Sequence, residues 1–418
     1  MFKLPKLRAS MLASVLAIPL IGMVASTLPM EAVAQALTGG WHKETADRVK
    51  AAQEAGQKGN FSEAIRLLKE AKTKGPLPLS PQEEQGVNEL LIWAASSAKD
   101  HRLVLQTVDE RLATGRVTGA DLVRKLRLKA TTLYSLADYR GAAAALDKLI
   151  AAQGSATADD LILLGNSQFQ LRDYRTSAAT LEKAVAAADK AGKPARTIGP
   201  LLEMLNTAYF ETNNDAKRIQ TLHRLMSVTP KASVFKQLVS AHELQSSKDP
   251  VVMINLYRLG ASRGLLSGEH FAKYAEFALD LLSPGEAVSM IEKGMAAGTI
   301  KKDDRNNRLL ADARGQVARV KSNLSQQEKE AIAMQSGEAE AKLAIAYFTL
   351  KNYAKATEAA KRGVTKGKLH RPDDLNMLLG IALVESRKPA EAKSAFKAAG
   401  AANAKIRGVA DLWSSAAT

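Results

Sequence analysis

Few side chains in this sequence are of types that do chemistry, and their spacing does not arrange them for it. The chain has no cysteine, which excludes disulfides, thiolate metal sites and cysteine nucleophiles. None of the six histidines belongs to an H-E-x-x-H motif, and none is paired with another at metal-ligand spacing. They are His42, His101, His223, His242, His270 and His370. The sequence therefore predicts no metal site and no cofactor.

The motifs of phosphate and calcium binding are missing as well. The sequence contains no P-loop, dinucleotide-binding or EF-hand pattern. Matches to S-x-x-K, such as those at 96–99 and 233–236, lack the companion S-D-N and K-T-G motifs of serine acyl-transferring enzymes. Paired acids such as Asp373-Asp374 precede predicted helices, where negative charge stabilises the helix N-terminus. We expect no catalytic residues and no small-molecule substrate, and so a protein that is not an enzyme.

A stronger signal is a repeated spacing of aromatic, small and apolar residues. An aromatic lead residue is followed by a small residue after three positions, by an apolar one after four more, and by another small or apolar one after three more. The lead positions are Phe61, Tyr139, Tyr174, Tyr353 and Pro389, the last with proline in the aromatic place. A small residue, such as Gly165 before Tyr174, stands nine positions before each lead. Steps of three and four keep residues on one helix face, so each unit of about 35 residues is predicted to be an antiparallel helix pair.

This pattern resembles the tetratricopeptide repeat (TPR), most closely at 164–184, 344–363 and 379–399. Less regular units fill the intervals between these stretches. Because a single helix pair cannot bury its apolar stripe, such pairs must stack on their neighbours. The resemblance implies an all-α fold, an α-solenoid of about eight stacked antiparallel helix pairs in a TPR-like superhelix.

Departures from the repeat supply the predicted domain boundaries. Residues 1–34 have a positive start, an apolar run from Met11 to Val24 and an A-x-A close, the three parts of a secretory signal peptide. Cleavage is expected after Ala34 or Ala36, and an uncleaved anchor reaching Met30 is the alternative. The remaining predicted segments are an N-terminal lead at 35–46, a TPR-like array at 47–297, a charged helical bridge at 298–335, and C-terminal repeats with a capping helix at 336–418. We expect a periplasmic or secreted protein, soluble after cleavage.

The formal net charge of +16 has two interpretations. Lysines and arginines cluster at 124–129 and at 342–371. These cations either lie on solvent-exposed outer faces of the helices or form a basic surface that binds an anionic polysaccharide or lipid headgroups. Nucleic acid is not expected as a partner, because the predicted export separates the protein from it and no nucleic-acid-binding motif interleaves aromatic residues with the charges.

The TPR resemblance also implies a partner-binding surface. In that family, peptide-contacting side chains lie on the first helix of each pair, on the concave face. The matching positions here are Arg127, Thr131, Tyr134, Asn166, Phe169, Thr207, Phe210, His242 and Gln245. The Lys/Asn set with which some TPR domains clamp a C-terminal carboxylate is not reproduced, and packing between repeats is the alternative role for the aromatic residues.

The function that the resemblance implies is that of a non-enzymatic periplasmic scaffold or adaptor. Its partner would be a protein or peptide of a cell-envelope assembly, export or transport system. The alternative is a module that binds envelope polysaccharide or lipid through a basic surface.

Overall fold

The computed structural model describes residues 40–74, 78–244 and 249–417. Within these ranges the regular structure consists of twenty helices, with no strand. The predicted signal peptide and Gln245 lie outside the described residues. Contacts divide the chain into two compact units, and the division falls between Thr212 and Asn213. The sequence predicts boundaries at 297/298 and 335/336, and these stay predictions.

The first unit, unit 1, contains nine helices. Consecutive helices pack against each other as hairpins, α1 with α2, α3 with α4, α5 with α6 and α7 with α8, and α9 packs on α8. Their bounds are α1 (Lys43–Gln57), α2 (Phe61–Thr73), α3 (Pro81–Ser97), α4 (His101–Ala113), α5 (Gly119–Ser135), α6 (Tyr139–Gln153), α7 (Ala158–Gln170), α8 (Tyr174–Lys190) and α9 (Ala195–Glu211).

The second unit, unit 2, contains eleven helices. Its hairpins include α13 with α14, α16 with α17 and α18 with α19, and the 30-residue α15 lies between α14 and α16. The bounds are α10 (Asp215–Val228), α11 (Ala232–Glu243), α12 (Pro250–Ser262), α13 (His270–Asp280), α14 (Pro284–Ala296), α15 (Asp304–Ala333), α16 (Gly337–Thr349), α17 (Tyr353–Lys366), α18 (Pro372–Glu385), α19 (Pro389–Ala402) and α20 (Arg407–Ala416). Each lead residue of the sequence pattern begins the second helix of a hairpin, which confirms the predicted all-α fold of antiparallel helix pairs.

Two hairpins of unit 1 turn through the same short arrangement of residues. In the α5–α6 turn Ala137 has a φ of 59°, and the next residue, Asp138, accepts a hydrogen bond from the Gly141 amide at 2.9 Å. In the α7–α8 turn Arg172 has the same φ, and Asp173 caps α8. One residue in the left-handed region reverses the chain, and an acidic N-cap then satisfies an amide that has no partner inside the helix.

The small residue nine positions before each lead allows the two helices of a hairpin to approach closely. A Cβ atom placed at Gly165 would lie 2.7 Å from a methyl carbon of Leu181, the fully buried apolar residue of the pattern. At Gly380 it would lie 2.4 Å from the ring of Phe396. The sequence pattern thus reports a contact across the hairpin, in which glycine admits the large side chain of the opposite helix.

Unit 2 is closed by its C-terminal helix. Helix α20 packs on α19, and it also contacts α10 and α12. Its Trp413 is buried, stacks on Phe396 with ring centroids 5.9 Å apart, and donates a hydrogen bond from Nε1 to the Asn255 carbonyl at 3.0 Å. The helix therefore joins sequence-distant parts of the unit as well as covering the last hairpin.

Candidate functional site

Seven of the predicted partner-binding residues lie in unit 1, on the first helices of successive hairpins. Arg127, Thr131 and Tyr134 are on α5, Asn166 and Phe169 on α7, and Thr207 and Phe210 on α9. We call this row the first-helix face of unit 1. The side chains within it differ in what they contact and in how far they are exposed.

The charge of Arg127 is neutralised within the chain. Its Nε and Nη2 atoms each donate to the carboxylate of Asp160 at 3.1 Å, and Nη2 also donates to Gln153 at 3.0 Å. Asp160 is only 3% exposed and forms a capping box with Thr157 at the start of α7. Because the acid is held by the helix cap, Arg127 serves the junction between two hairpins and is not a free cation of the face.

The aromatic residues of the face pack edge-on against the lead residues. Tyr134 meets Tyr139 with centroids 5.2 Å apart at 66°, and Phe169 meets Tyr174 at 5.3 Å and 73°. Both rings remain half-buried, so part of each is open to solvent. Phe210 is 54% exposed, the highest value among the large apolar side chains described in unit 1. These three rings give the face its apolar character.

The polar members of the face are engaged locally. Thr131 donates from Oγ1 to the Arg127 carbonyl at 3.1 Å, and Thr207 donates in the same way to the Glu203 carbonyl. Asn166 is buried, with 7% exposure. The exposed part of the face is therefore mainly aromatic.

Unit 2 repeats the aromatic arrangement, but there the first ring is buried. Phe348 stands five positions before the lead Tyr353, as Phe169 stands before Tyr174, and its ring meets Tyr353 at 5.4 Å and 70°. Phe348 is only 5% exposed, and the Arg258 side chain of α12 lies over its ring with the guanidinium carbon 4.9 Å from the centroid. This contact lies entirely within unit 2.

Helix α12 is enclosed along most of its length. Every residue from Val251 to Gly260 is buried. Arg258 forms a bidentate pair with Glu286 of α14, whose carboxylate also accepts hydrogen bonds from Tyr274 and Ser283. The Arg258 charge keeps the pKa of the Glu286 carboxyl below its usual range although burial acts to raise it. Residues of unit 2 itself thus occupy the space beside the first helices of its hairpins.

His242 lies in unit 2 and has a partner that the sequence did not indicate. Its Nε2 is 3.0 Å from Nε2 of His223, on the adjacent helix α10. Burial lowers the pKa of His223 to about 3 and that of His242 to about 4. Both rings are therefore neutral near pH 7. One Nε2 donates a hydrogen bond and the other accepts it, and we assign the tautomer of each ring from this contact. The two histidines are 19 positions apart, and no sequence motif has that spacing to indicate that they pair.

The histidine pair borders a cavity of about 800 Å³ within unit 2. Residues of α10, α20 and the start of α12 line it, among them Gln220, Asp249, Lys405 and Asp411. In the described ranges no three or more His, Asp or Glu side chains are grouped so as to hold a metal ion.

Comparison with known proteins gives similarity to solved structures. No family model and no curated protein matches the chain. The Naa15/Naa10 complex bound to HypK-THB is 14% identical with a TM-score of 0.40, over 85% of this chain and 58% of that one, so the match spans under two thirds of that protein. A tetratricopeptide repeat protein from Parabacteroides merdae is 13% identical with a TM-score of 0.35, over 65% and 100% of the two chains. The TPR2AB domain of yeast Sti1, solved as a complex with pHSP90, is 12% identical with a TM-score of 0.25, over 72% and 100%.

What decides the fold is the chain's own geometry: hairpins of about 35 residues, an aromatic lead on the second helices α2, α6, α8 and α17, and a small residue opposite a buried apolar one. The protein has a TPR-like fold. Both units are arrays of such hairpins, and the predicted fold class is confirmed.

The basic cluster on α5 of the first TPR-like array is paired residue by residue. Lys125 contacts Glu89 at 2.6 Å, Lys129 contacts Asp109 at 2.7 Å, and Arg124 contacts Asp121 at 3.2 Å. Two of these pairs connect different helices of the array. The cluster therefore stabilises the stacking of hairpins and leaves little uncompensated charge for a polyanion.

The basic cluster at 342–371 in the second array is paired in large part. Arg362 and Lys366 share the buried carboxylate of Glu340 at 2.9 and 3.0 Å, and Arg371 contacts Asp373 at 2.8 Å. The Glu340 carboxyl is desolvated by burial, yet these two cations keep its pKa below the usual range. None of the described helices combines the length and apolarity needed to cross a bilayer.

Proposed function

We propose that this protein is a non-enzymatic, exported TPR scaffold that binds a protein or peptide partner on the first-helix face of unit 1. The observation that carries the proposal is the contrast between equivalent aromatic residues. Phe169 of unit 1 is half-buried, whereas Phe348 of unit 2 is only 5% exposed and has the Arg258 side chain over its ring. Partly exposed aromatic residues on a rigid helical array are typical of recognition surfaces.

The proposed location is the periplasm or the secreted fraction, and it rests on the signal-peptide pattern of residues 1–34. The proposed partner belongs to a cell-envelope assembly, export or transport system, which is the class that the TPR resemblance and the predicted export imply together. The scaffold role needs no catalytic group.

The alternative, binding of anionic polysaccharide or lipid headgroups through the basic clusters, has less support. The cations of α5 and many of those at 342–371 are paired with acids of the same chain. A polyanion would have to compete with these pairs, and such binding would weaken steeply as salt is raised. Binding to aromatic surface would persist.

The test is affinity capture from envelope extract with the protein lacking residues 1–34. The double variant Phe169→Ala/Phe210→Ala is compared with the wild type and with Leu171→Ala, which removes another exposed apolar side chain of unit 1 from a turn outside the face. We expect at least one partner to be lost with the double variant and kept with Leu171→Ala, at low and at high salt. If the double variant retains every wild-type partner, or if capture disappears with salt, the proposal is wrong.

A further inference from the structure

The C-terminal helix α20 forms one wall of the cavity in unit 2. Residues 404–415 supply part of the lining, together with residues of α10 and of the start of α12. The buried Trp413 of this helix donates a hydrogen bond to the Asn255 carbonyl. The Leu412 carbonyl accepts a hydrogen bond from Arg263 at 3.4 Å. If α20 left these contacts, the cavity would lose that wall and open.

The histidine pair lies against the first turn of this helix. Gly408 is the second residue of α20, and a Cβ atom placed on it would lie 2.8 Å from Nε2 of His223. That nitrogen is the atom that contacts His242. Glycine at position 408 therefore allows the start of α20 to pack directly on the pair, so a change in the pair acts on the surface that holds the helix.

The charged groups around the pair are mostly positive. The lining includes Arg224 of α10 and, beside the start of α20, Lys405 and Arg407. The acids of the lining are Asp249 and Asp411, and the first of them forms an ion pair with an arginine outside the lining. The remaining lining residues apart from the histidines are uncharged. The N-terminal end of α20 adds the partial positive charge of its helix dipole.

Acid converts the pair from a state that suits these surroundings to one that does not. As neutral rings, the two histidines share one hydrogen bond. Burial is the largest cause that lowers the pKa of each, the neighbouring ring lowers that of His223 further, and the Gly408 backbone raises it by a smaller amount. Two protonated rings would place positive charges in contact, beside the cations and the positive end of α20. Moving α20 away admits water, which solvates these charges.

We propose that α20 is an acid-sensitive closure of unit 2, in which protonation of His223 and His242 detaches the helix from α10 and α12 and opens the cavity while the other helix pairs stay folded. The inference concerns unit 2 and does not depend on partner binding by unit 1. Histidine changes its charge in the range from pH 5 to pH 8, and protonation of clustered histidines can switch a packed interface. At neutral pH the helix is closed, and in acid the surfaces of α10 and α12 beneath it become accessible.

The test is hydrogen–deuterium exchange with mass spectrometry on the protein lacking residues 1–34, at pH 7 and at pH 5. Protection factors, which correct for the intrinsic exchange rate at each pH, are compared between α20 and the α16–α17 hairpin, which does not line the cavity. His242→Gln removes one titrating ring but keeps a hydrogen-bonding side chain. Lys405→Glu changes an exposed charge beside the start of α20, and His370→Gln is an exposed control.

We expect the protection of α20 to fall by about tenfold or more per histidine between pH 7 and pH 5, because each ring that reaches water regains a pKa near 6.5. At pH 5 the helices α16 and α17 should remain at least about tenfold better protected than α20. His242→Gln should reduce the fall by about tenfold. Lys405→Glu should reduce it about two- to threefold, since an acid attracts the protonated pair. His370→Gln should behave as the wild type does.

Equal protection of α20 and of the α16–α17 hairpin at pH 5 would show that acid unfolds unit 2 as a whole, and it would overturn the inference. Protection of α20 that does not fall with pH would overturn it as well. A fall that neither His242→Gln nor Lys405→Glu reduces would mean that other groups control the helix, and the role of the pair would be wrong. The Lys405→Glu result decides the matter if His242→Gln does not fold.

Discussion

Nε2 of His223 lies 3.0 Å from Nε2 of His242, where His242 is buried and His223 is half-buried. Burial lowers both pKa values, that of His223 to about 3 and that of His242 to about 4. A neutral imidazole pair can share one hydrogen bond, whereas protonation of both rings would place two positive charges in contact. The pair therefore ties the stability of unit 2 to pH.

The first prediction concerns that dependence. In the unfolded chain each histidine titrates near 6.5, above its folded value, so the unfolded state binds more protons as the pH falls below that value. The contribution of the two neutral histidines to the unfolding free energy of unit 2 is present above about pH 6.5. It is lost as the pH falls towards the pKa values of the folded state, by about 2 kcal/mol per histidine between pH 7 and pH 5. Urea unfolding of unit 2 across this range measures it.

The variant His242→Gln should make the fall in unfolding free energy with decreasing pH shallower, because the unfolded chain then takes up about one proton fewer. His370→Ala, at an exposed position outside the pair, is the control. A wild-type slope that His242→Gln does not alter would contradict the role of the pair.

A second prediction separates the two partners of the Arg127–Asp160 contact. Asp160 is buried and caps α7, whereas the Arg127 side chain is 42% exposed. We expect Asp160→Ala to lower the unfolding free energy of unit 1 by about 1–2 kcal/mol through loss of the cap. Arg127→Gln should cost under about 1 kcal/mol, because the pair is partly exposed. Chemical denaturation of both variants checks the order, and equal losses would show that the cap contributes nothing.

A third prediction tests the close approach of α7 and α8. A methyl group at Gly165 meets Leu181, which is fully buried and cannot move without disturbing its neighbours. Gly165→Ala should destabilise unit 1 by about 1–3 kcal/mol through overpacking. Gly315→Ala on α15, where nothing lies within 4 Å of the new atom, should instead stabilise unit 2 by about 0.5–1 kcal/mol. Thermal unfolding compares the two substitutions, and effects of the same sign would refute the packing argument.

A fourth prediction addresses the closure of unit 2. Trp413→Ala removes a buried ring and the hydrogen bond to Asn255, which should cost about 3–5 kcal/mol. Because α20 contacts α10 and α12, amide exchange should accelerate in those helices as well as in α19. Asp411→Ala, an exposed site on the same helix, is the control. Faster exchange confined to α19 and α20 would mean that α20 is a simple terminal cap.

The sequence predicted the hairpins because their determinants are local. Tyr139, Tyr174 and Tyr353 mark the starts of second helices, and Gly165 marks a crossing point, all within one repeat length. The placement of Tyr134 and Phe169 on first helices follows from the same register. That these residues bind a partner stays a prediction.

Contacts between distant segments were not predictable in this way. The burial of α12 depends on Phe348, Trp413 and Glu286, and the His223–His242 pair joins two helices without a shared motif. The pairing of the basic clusters was not predictable for a related reason, because the acids that neutralise them lie elsewhere in the sequence. Lys125 pairs with Glu89, 36 positions away, and Arg127 with Asp160, 33 positions away. A search for opposite charges one repeat apart would have found both.

The attachment of α20 to α10 and α12 has a consequence for how the two units acquire their structure during synthesis. Each hairpin of unit 1 packs on neighbours that leave the ribosome within one repeat length. The hairpins can therefore fold in chain order. In unit 2 the surfaces of α10 and α12 that contact residues 407–416 stay uncovered until those residues are synthesised, some 150 positions later. Until then these helices expose apolar side chains, so unit 2 is the part of the nascent chain that most needs a chaperone.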